Sequence, residues 1–260
     1  MAHKFLLDGW SPKQLPELRL WLSAKKAATS LSASLGASTT VTTLPDFSGN
    51  AFSFTQATAD AKPVIAYDGT TYYITSDGTD DLMVRSATDI SSAQAGYVCI
   101  ALERITAFDT NTRIFLSSGD EASGVRYGLF GVLTTGRIYC GMRNNDTEDS
   151  VRVADAGTAV VVDTPYILEF FSNGSSISIS INGNAQALTV VTGSNTGRWF
   201  GDVSARDSFT IFALKRNTES NFAPITLCDM VICNAVPTAA QRTTLRNYLN
   251  TVNDLRIALA

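Results

Sequence analysis

The chain predicts an all-β fold, a two-sheet antiparallel jelly-roll sandwich with one C-terminal helix. Three observations carry this. Between residues 50 and 234 the apolar residues come in short, β-branched or alternating runs separated by turn residues. The last of these runs, residues 225–233, is apolar almost throughout and reads as a buried strand. One amphipathic stretch, residues 239–252, then closes the chain with leucines and a valine at helical spacing.

The elements follow in order. Residues 1–17 read as an N-terminal arm punctuated by Pro12 and Pro16, and residues 18–260 as the jelly-roll domain. Residues 18–22 form a strand that buries Trp21. Residues 23–45, rich in Ala, Ser and Thr, read as a surface excursion with one helical turn at 24–31. Asp46, Ser48, Gly49 and Asn50 mark a turn. Strands are then expected at 52–56, 71–75, 82–84, 113–116, 126–130, 137–142 and 151–153. Residues 97–102 form a continuous apolar run and predict a strand buried on both faces. Asn173-Gly174 predicts a two-residue hairpin into 177–181, where isoleucines and serines alternate. Asn182-Gly183 marks the next reversal, into 187–191, and residues 209–214 form a further strand. Thr238 is the expected N-cap of the closing helix. Its face Leu245, Tyr248, Leu249 and Val252 packs on the sandwich, with Arg242, Arg246 and Asn247 toward water.

Composition narrows the function. Of 260 residues, 45% are hydrophobic and 17% charged, enough for a core and too few charges for a disordered chain. The net charge is −4 and no basic cluster exceeds Lys25-Lys26, which argues against a nucleic-acid footprint. No apolar run reaches the roughly 20 residues of a membrane-spanning helix. The first residues lack the apolar core of a secretory signal, so synthesis in the cytoplasm is expected. The four cysteines read as buried thiols, with Cys228 and Cys233, five apart on one strand, on opposite faces.

An ordered set of local signatures points further. Residues 18–24 (LRLWLSA) precede 44–50 (LPDFSGN), then Gln56, Lys62-Pro63, the turn 76–82 (SDGTDDL), the Asn182-Gly183 reversal and the final strand and helix. This set resembles the concanavalin A-like lectin and glucanase superfamily, and within it the laminin-G-like jelly-roll domains of bacteriophage virion proteins and bacterial surface proteins. The resemblance spans residues 18–252. The chain departs from it at Ser23, where an Asp is common, and at Asp229, where a Glu is usual.

The resemblance implies a non-enzymatic structural or adhesive module of a phage particle, such as a capsid decoration, head-fibre or tail-associated protein. Its partners would be other virion proteins or further copies of itself, and its location the virion. A stand-alone carbohydrate-binding lectin is the first alternative. A glycoside hydrolase or polysaccharide lyase with an atypical site is the second. Against catalysis, the single histidine, His3, lies in the arm. The paired-carboxylate strand pattern Glu-x-Asp-x-x-Glu of this fold's hydrolases is missing, as is the Gln-x-His of its lyases.

Three candidate sites remain. Sugar stacking and hydroxyl recognition point to Trp199, Arg198, Tyr139, Arg143 and Asn144, with Tyr127 and Phe130 on the same strands. Trp199 follows a loop-like stretch, 193–198, and is the expected exposed platform. Calcium, which takes oxygen ligands, points to Asp77, Asp80 and Asp81 in one tight turn, with Asp202 as a fourth carboxylate. The apolar residues Phe5, Leu6, Leu7 and Trp10 make the arm a docking segment.

Overall fold

The computed structural model describes residues 9–31, 38–86, 88–107 and 111–260. Two antiparallel sheets of nine strands each pack face to face. One sheet runs Asn184–Ala185, Ile177–Ile181, Tyr166–Ser172, Gly96–Ile105, Ile225–Cys233, Tyr72–Thr75, Val64–Tyr67 and Thr39–Thr40, with Leu18–Ser23 also paired to Ile225–Cys233. The other runs Leu188–Thr192, Thr147–Val153, Ile138–Asn144, Arg126–Val132, Arg113–Gly119, Ser208–Ile211, Met83–Arg85, Phe54–Thr55 and Thr43–Leu44. A small separate hairpin pairs Leu214–Lys215 with Glu219–Ser220.

The two sheets are treated differently on their outer faces. In Gly96–Ile105, Val98, Ile100 and Leu102 enter the inter-sheet core, while Tyr97, Cys99 and Ala101 enter a second core outside it. That second core is closed by helix α2, Ala239–Val252, through Leu245 and Leu249, and by Leu255 beyond it. This sheet is covered on both faces, which is why residues 97–102 read as continuously apolar. Among the described residues no helix lies over the outer face of the other sheet, which is called the open sheet below.

The helical turn expected at 24–31 forms a second helix beside the expected C-terminal one. Helix α1, Ala24–Ser30, is capped by Ser23 and buries Ala24, Ala27 and Ala28 in the inter-sheet core. The segment 23–45 is therefore only partly a surface excursion, since Val41 and Leu44 are buried as well. Helix α2 carries a complete capping box: Gln241 N–H donates to Thr238 Oγ1, and Thr238 N–H to Gln241 Oε1.

Four expectations change on contact with the structure. First, Arg246 does not face water. Its Nη1 lies 3.0 Å from Glu169 Oε2, and Tyr97 Oη donates to Glu169 Oε1 at 2.8 Å. The carboxylate stands on the covered face and draws the helix's arginine inward. Arg242 instead lies over the Phe171 ring, 4.3 Å from its centroid. Second, Cys228 and Cys233 share one face. The register steps from Leu227 opposite Leu102 to Asp229 opposite Ala101, so Cys228 is the extra residue of a β-bulge and restarts the alternation. All four cysteines are buried free thiols.

Third, the hairpin after Ser172 has a four-residue connection, because Ser172 pairs with Ile177. Asn173 Oδ1 accepts from the backbone of Ser175 and Ser176 and holds that loop. The two-residue turn is Asn182-Gly183, with both φ angles positive (53° and 89°) between the paired Ile181 and Asn184. Fourth, residues 209–214 are not one strand. Phe212 has φ 73° and is fully buried, so the chain breaks there and Leu214 begins the small hairpin.

Of the arm, Phe5, Leu6, Leu7 and His3 lie outside the described residues. Trp10 meets Tyr248 edge-on at 5.3 Å, and Leu15 is buried in the outer core. Among the described residues no helix is long and apolar enough to cross a membrane.

Candidate functional site

Strands Arg126–Val132 and Ile138–Asn144 pair with Tyr127 opposite Arg143, Leu129 opposite Gly141 and Gly131 opposite Tyr139. Alternation sends Phe130, Val132, Ile138, Cys140 and Met142 into the inter-sheet core. It sends Tyr127, Leu129 and Tyr139 to the uncovered face. There they gather with Ile114 and Leu214 into a third apolar cluster. Gly141 decides how Tyr139 lies. A Cβ at that glycine would stand 2.9 Å from Tyr139 Oη and 3.2 Å from its Cζ, so the missing side chain lets the ring fold along the sheet.

The result is a hollow of about 250 Å³ over a tyrosine and leucine floor, bordered by Arg216, Asn221 and Val191. Arg216 is the charged group of this border. Its guanidinium lies over Tyr127, 5.2 Å from the ring centroid, and its Nη1 donates to Gly124 O at 2.7 Å. The floor continues into charge. Tyr139 Oη donates to Glu148 Oε1 at 3.4 Å, and Glu148 Oε2 lies 3.9 Å from Arg143 Nη1. Burial, first of all, raises the Tyr139 hydroxyl pKa, and the nearby Glu148 charge adds to it. Beyond Arg143 and Glu148 a second, polar hollow of about 480 Å³ is lined by Asp146, Asp149, Thr192 and Ser194. Arg198 Nε pairs with Asp149 Oδ2 at 3.2 Å behind it.

The structure thus brings Tyr139 and Arg143 together on the uncovered face of the open sheet, whereas Arg198 is held by Asp149, whose strand partner Met142 points into the inter-sheet core. Asn144 does not join them. Its Nδ2 donates to Asp202 O at 3.2 Å and its Oδ1 accepts from Ser204 Oγ, which ties down the 200–204 segment. Trp199 is the larger correction. It is 0% exposed and packs against Phe130 and Phe200 at 5.2 and 5.7 Å. Gly96 leaves room for it, since a Cβ there would be 2.5 Å from the indole nitrogen. The Gly/Ser/Asn-rich loop before Trp199 does run on the surface, but the chain turns inward immediately after it. Arg216, Asn221 and Leu214 were not among the expected site residues. They reach the open face through a hairpin that the unbroken reading of 209–214 concealed.

The aspartates separate in the same way. Asp77 Oδ1 accepts from Thr79 N–H and Asp80 N–H, and Asp81 Oδ2 accepts from Asp77 N–H. The carboxylate oxygens of Asp77, Asp80 and Asp81 can gather within 4.8 Å, and among the described residues they form the one such acidic group. Burial raises Asp81 to a pKa of about 6, with the charges of Asp77 and Asp80 adding to it. Asp202 stands outside this group. Its Oδ2 caps Trp199 N–H at 2.9 Å and its Oδ1 accepts from Gln94 at 3.0 Å.

No family model matches the chain, and no curated protein matches it. Solved structures do. The binding domain of Paraclostridial Mosquitocidal Protein 1 is similar over 93% of this chain and 53% of that one, with TM-score 0.60 and 10% identity. The CBM40 domain of the Ruminococcus gnavus IT-sialidase, bound to α2,6 sialyllactose, is similar over 60% of this chain and 84% of that one, with TM-score 0.50 and 14% identity. The same domain bound to α2,3 sialyllactose has TM-score 0.50 and 15% identity over 62% of this chain. At these identities the likeness shows the fold alone, a two-sheet antiparallel jelly-roll sandwich, in agreement with the sheet order.

Proposed function

We propose that this chain is a non-catalytic carbohydrate-binding module that takes a sugar on the uncovered face of its open sheet. The observation that carries the reading is the asymmetry of the sandwich. One sheet is sealed by α2, while the other presents Tyr127 and Tyr139 as a floor with Arg143, Glu148, Arg216 and Asn221 around it. A sugar ring offers an apolar face and several hydroxyls, and this surface offers stacking area beside paired donors and acceptors. The CBM40 likeness supports the reading, because a module of this fold is seen there with a sialylated sugar bound. The setting on a phage particle has the sequence resemblance as its support; the structures named above are a sialidase module and a toxin's binding domain.

A glycan array with the purified chain tests this. Saturable binding to a defined glycan is expected, and Tyr139→Ala should weaken it by about tenfold or more, the equivalent of one lost stacking contact. Binding that survives Tyr139→Ala and Arg143→Gln unchanged would place the sugar elsewhere. No binding to any glycan would remove the proposal.

A further inference from the structure

The far side of the molecule holds a third hollow, larger than either of those on the open sheet. It lies between α1 and α2 and has a volume of about 580 Å³. Phe47, Tyr248 and Val252 supply apolar wall, and Ser23, Thr29 and Ser30 supply hydroxyls. Lys25 and Lys26 supply two cations, both on exposed residues. The volume falls within the roughly 300–1,000 Å³ of small-molecule sites.

The electrostatics of this groove are one-sided. Among the described residues neither lysine forms an ion pair. Lys25 Nζ has only a long contact, 3.4 Å, to Val252 O. Lys26 Nζ is held over the Trp21 and Phe47 rings, 5.0 and 5.9 Å from their centroids, which fixes the ammonium without neutralising it. The Lys26 charge acts on Asp229, but that carboxylate is buried and already accepts from Trp21 Nε1 and Asn253 Nδ2. Asp46 spends its oxygens on Trp21 N–H, Ser48 and Phe52 N–H. The aromatic wall is a run of ring contacts: Trp21 packs edge-on against Phe47 at 6.2 Å and Tyr248 at 6.3 Å, and Tyr248 against Trp10 at 5.3 Å. The serine and threonine hydroxyls donate to helix carbonyls, Thr29 to Lys25 O and Ser30 to Ala27 O, which leaves their oxygens as acceptors.

We propose that this groove is a second binding site, separate from the open-sheet site, for a small organic anion. Its acidic group would meet the Lys25 and Lys26 ammoniums, and its ring would lie against Phe47 and Tyr248. Charge and stacking act together here. A bare inorganic anion gains only the first, and a neutral sugar only the second. The site does not depend on the sugar reading of the other face.

The test is calorimetric titration of the full chain with glucose 6-phosphate, glucuronate and benzoate, with glucose and inorganic phosphate as controls, followed in parallel by tryptophan fluorescence. At least one organic anion is expected to bind saturably and about tenfold or more tighter than either control, with a fluorescence change from Trp21 beneath Lys26. The double variant Lys25→Gln/Lys26→Gln should abolish this binding while keeping the melting temperature, because both side chains are exposed. Tyr139→Ala should leave it intact. Failure of all three anions to bind, binding no tighter than phosphate, or binding retained in the double variant would overturn the proposal. Loss in Tyr139→Ala instead would assign the anion to the open sheet.

Discussion

Asp229 is a carboxylate sealed under the outer core, with Trp21 Nε1 donating to one oxygen at 2.9 Å and Asn253 Nδ2 to the other at 2.8 Å. Burial lifts its pKa from 3.8 to about 6, and those donors only partly oppose the lift. A raised carboxylate pKa means the folded state holds a proton that the unfolded chain has released. The stabilisation from protonated Asp229 is therefore complete below about pH 4 and is lost as pH rises through about 6. Asp229→Asn offers one acceptor where two donors point, so it should cost about 1–3 kcal/mol. The gap between the two proteins in urea unfolding should narrow from pH 4 to pH 7; a flat or widening gap would show that Asp229 does not titrate there. At the same scale, Trp199→Ala should cost about 3–5 kcal/mol, as emptying a core site does. A loss under about 1 kcal/mol would return Trp199 to the surface. The sequence reading placed Trp21 in the core and Trp199 outside it for opposite reasons. Trp21 lies in a short apolar strand whose leucines enter the inter-sheet core while Trp21 enters the outer one, so both faces of the run are buried. Trp199 follows a polar loop, and loop composition says nothing about where the next side chain turns.

Helix α2 was legible in outline because its cap and its leucine stripe are local. Its arginines were not, because their partners come from distant strands: Glu169 is 77 residues from Arg246. The same limit hid the bulge at Cys228, since a bulge is defined by the register of the neighbouring strand and not by the residues within it. The open-face tyrosines were named by residue type together with Phe130 and Asn144, which alternation turns to the other side of the same strands, whereas Arg216 depended on the break at Phe212. Arg246 now carries a prediction of its own. Arg246→Met leaves Glu169 buried with only Tyr97 Oη donating to it, and should cost about 3–5 kcal/mol. Arg246→Met/Glu169→Leu removes both charges and should recover most of that loss in the same thermal or urea titration. A double variant as unstable as the single one would mean that the pair matters for packing shape and not for charge compensation.

The molecule has two apolar layers of unequal size. The inter-sheet core is the larger, while the layer under α2 and the 253–260 tail, which holds Trp21 and Tyr97, is thinner and is pinned by one buried ion pair. A thin layer closed by the last element of the chain is a candidate for local opening at a lower free energy than global unfolding. The cysteines report on this directly, because the layers divide them. Cys99, Cys228 and Cys233 lie in the outer layer and Cys140 lies between the sheets. Burial raises all four thiols, Cys233 to about 12, so none should react in the closed state at neutral pH. Labelling with a thiol reagent in increasing sub-denaturing urea should therefore modify Cys99, Cys228 and Cys233 together, and Cys140 only at the global transition. Read by mass spectrometry, that order would show α2 lifting as a unit while the open sheet stays folded. It would also separate the two proposed sites. The anion groove, which needs Tyr248 and Val252 of α2, would be lost in the partly opened state, and sugar binding on the open sheet would persist. Simultaneous labelling of all four cysteines would instead make the two layers one cooperative unit, in which neither face can be emptied without the other.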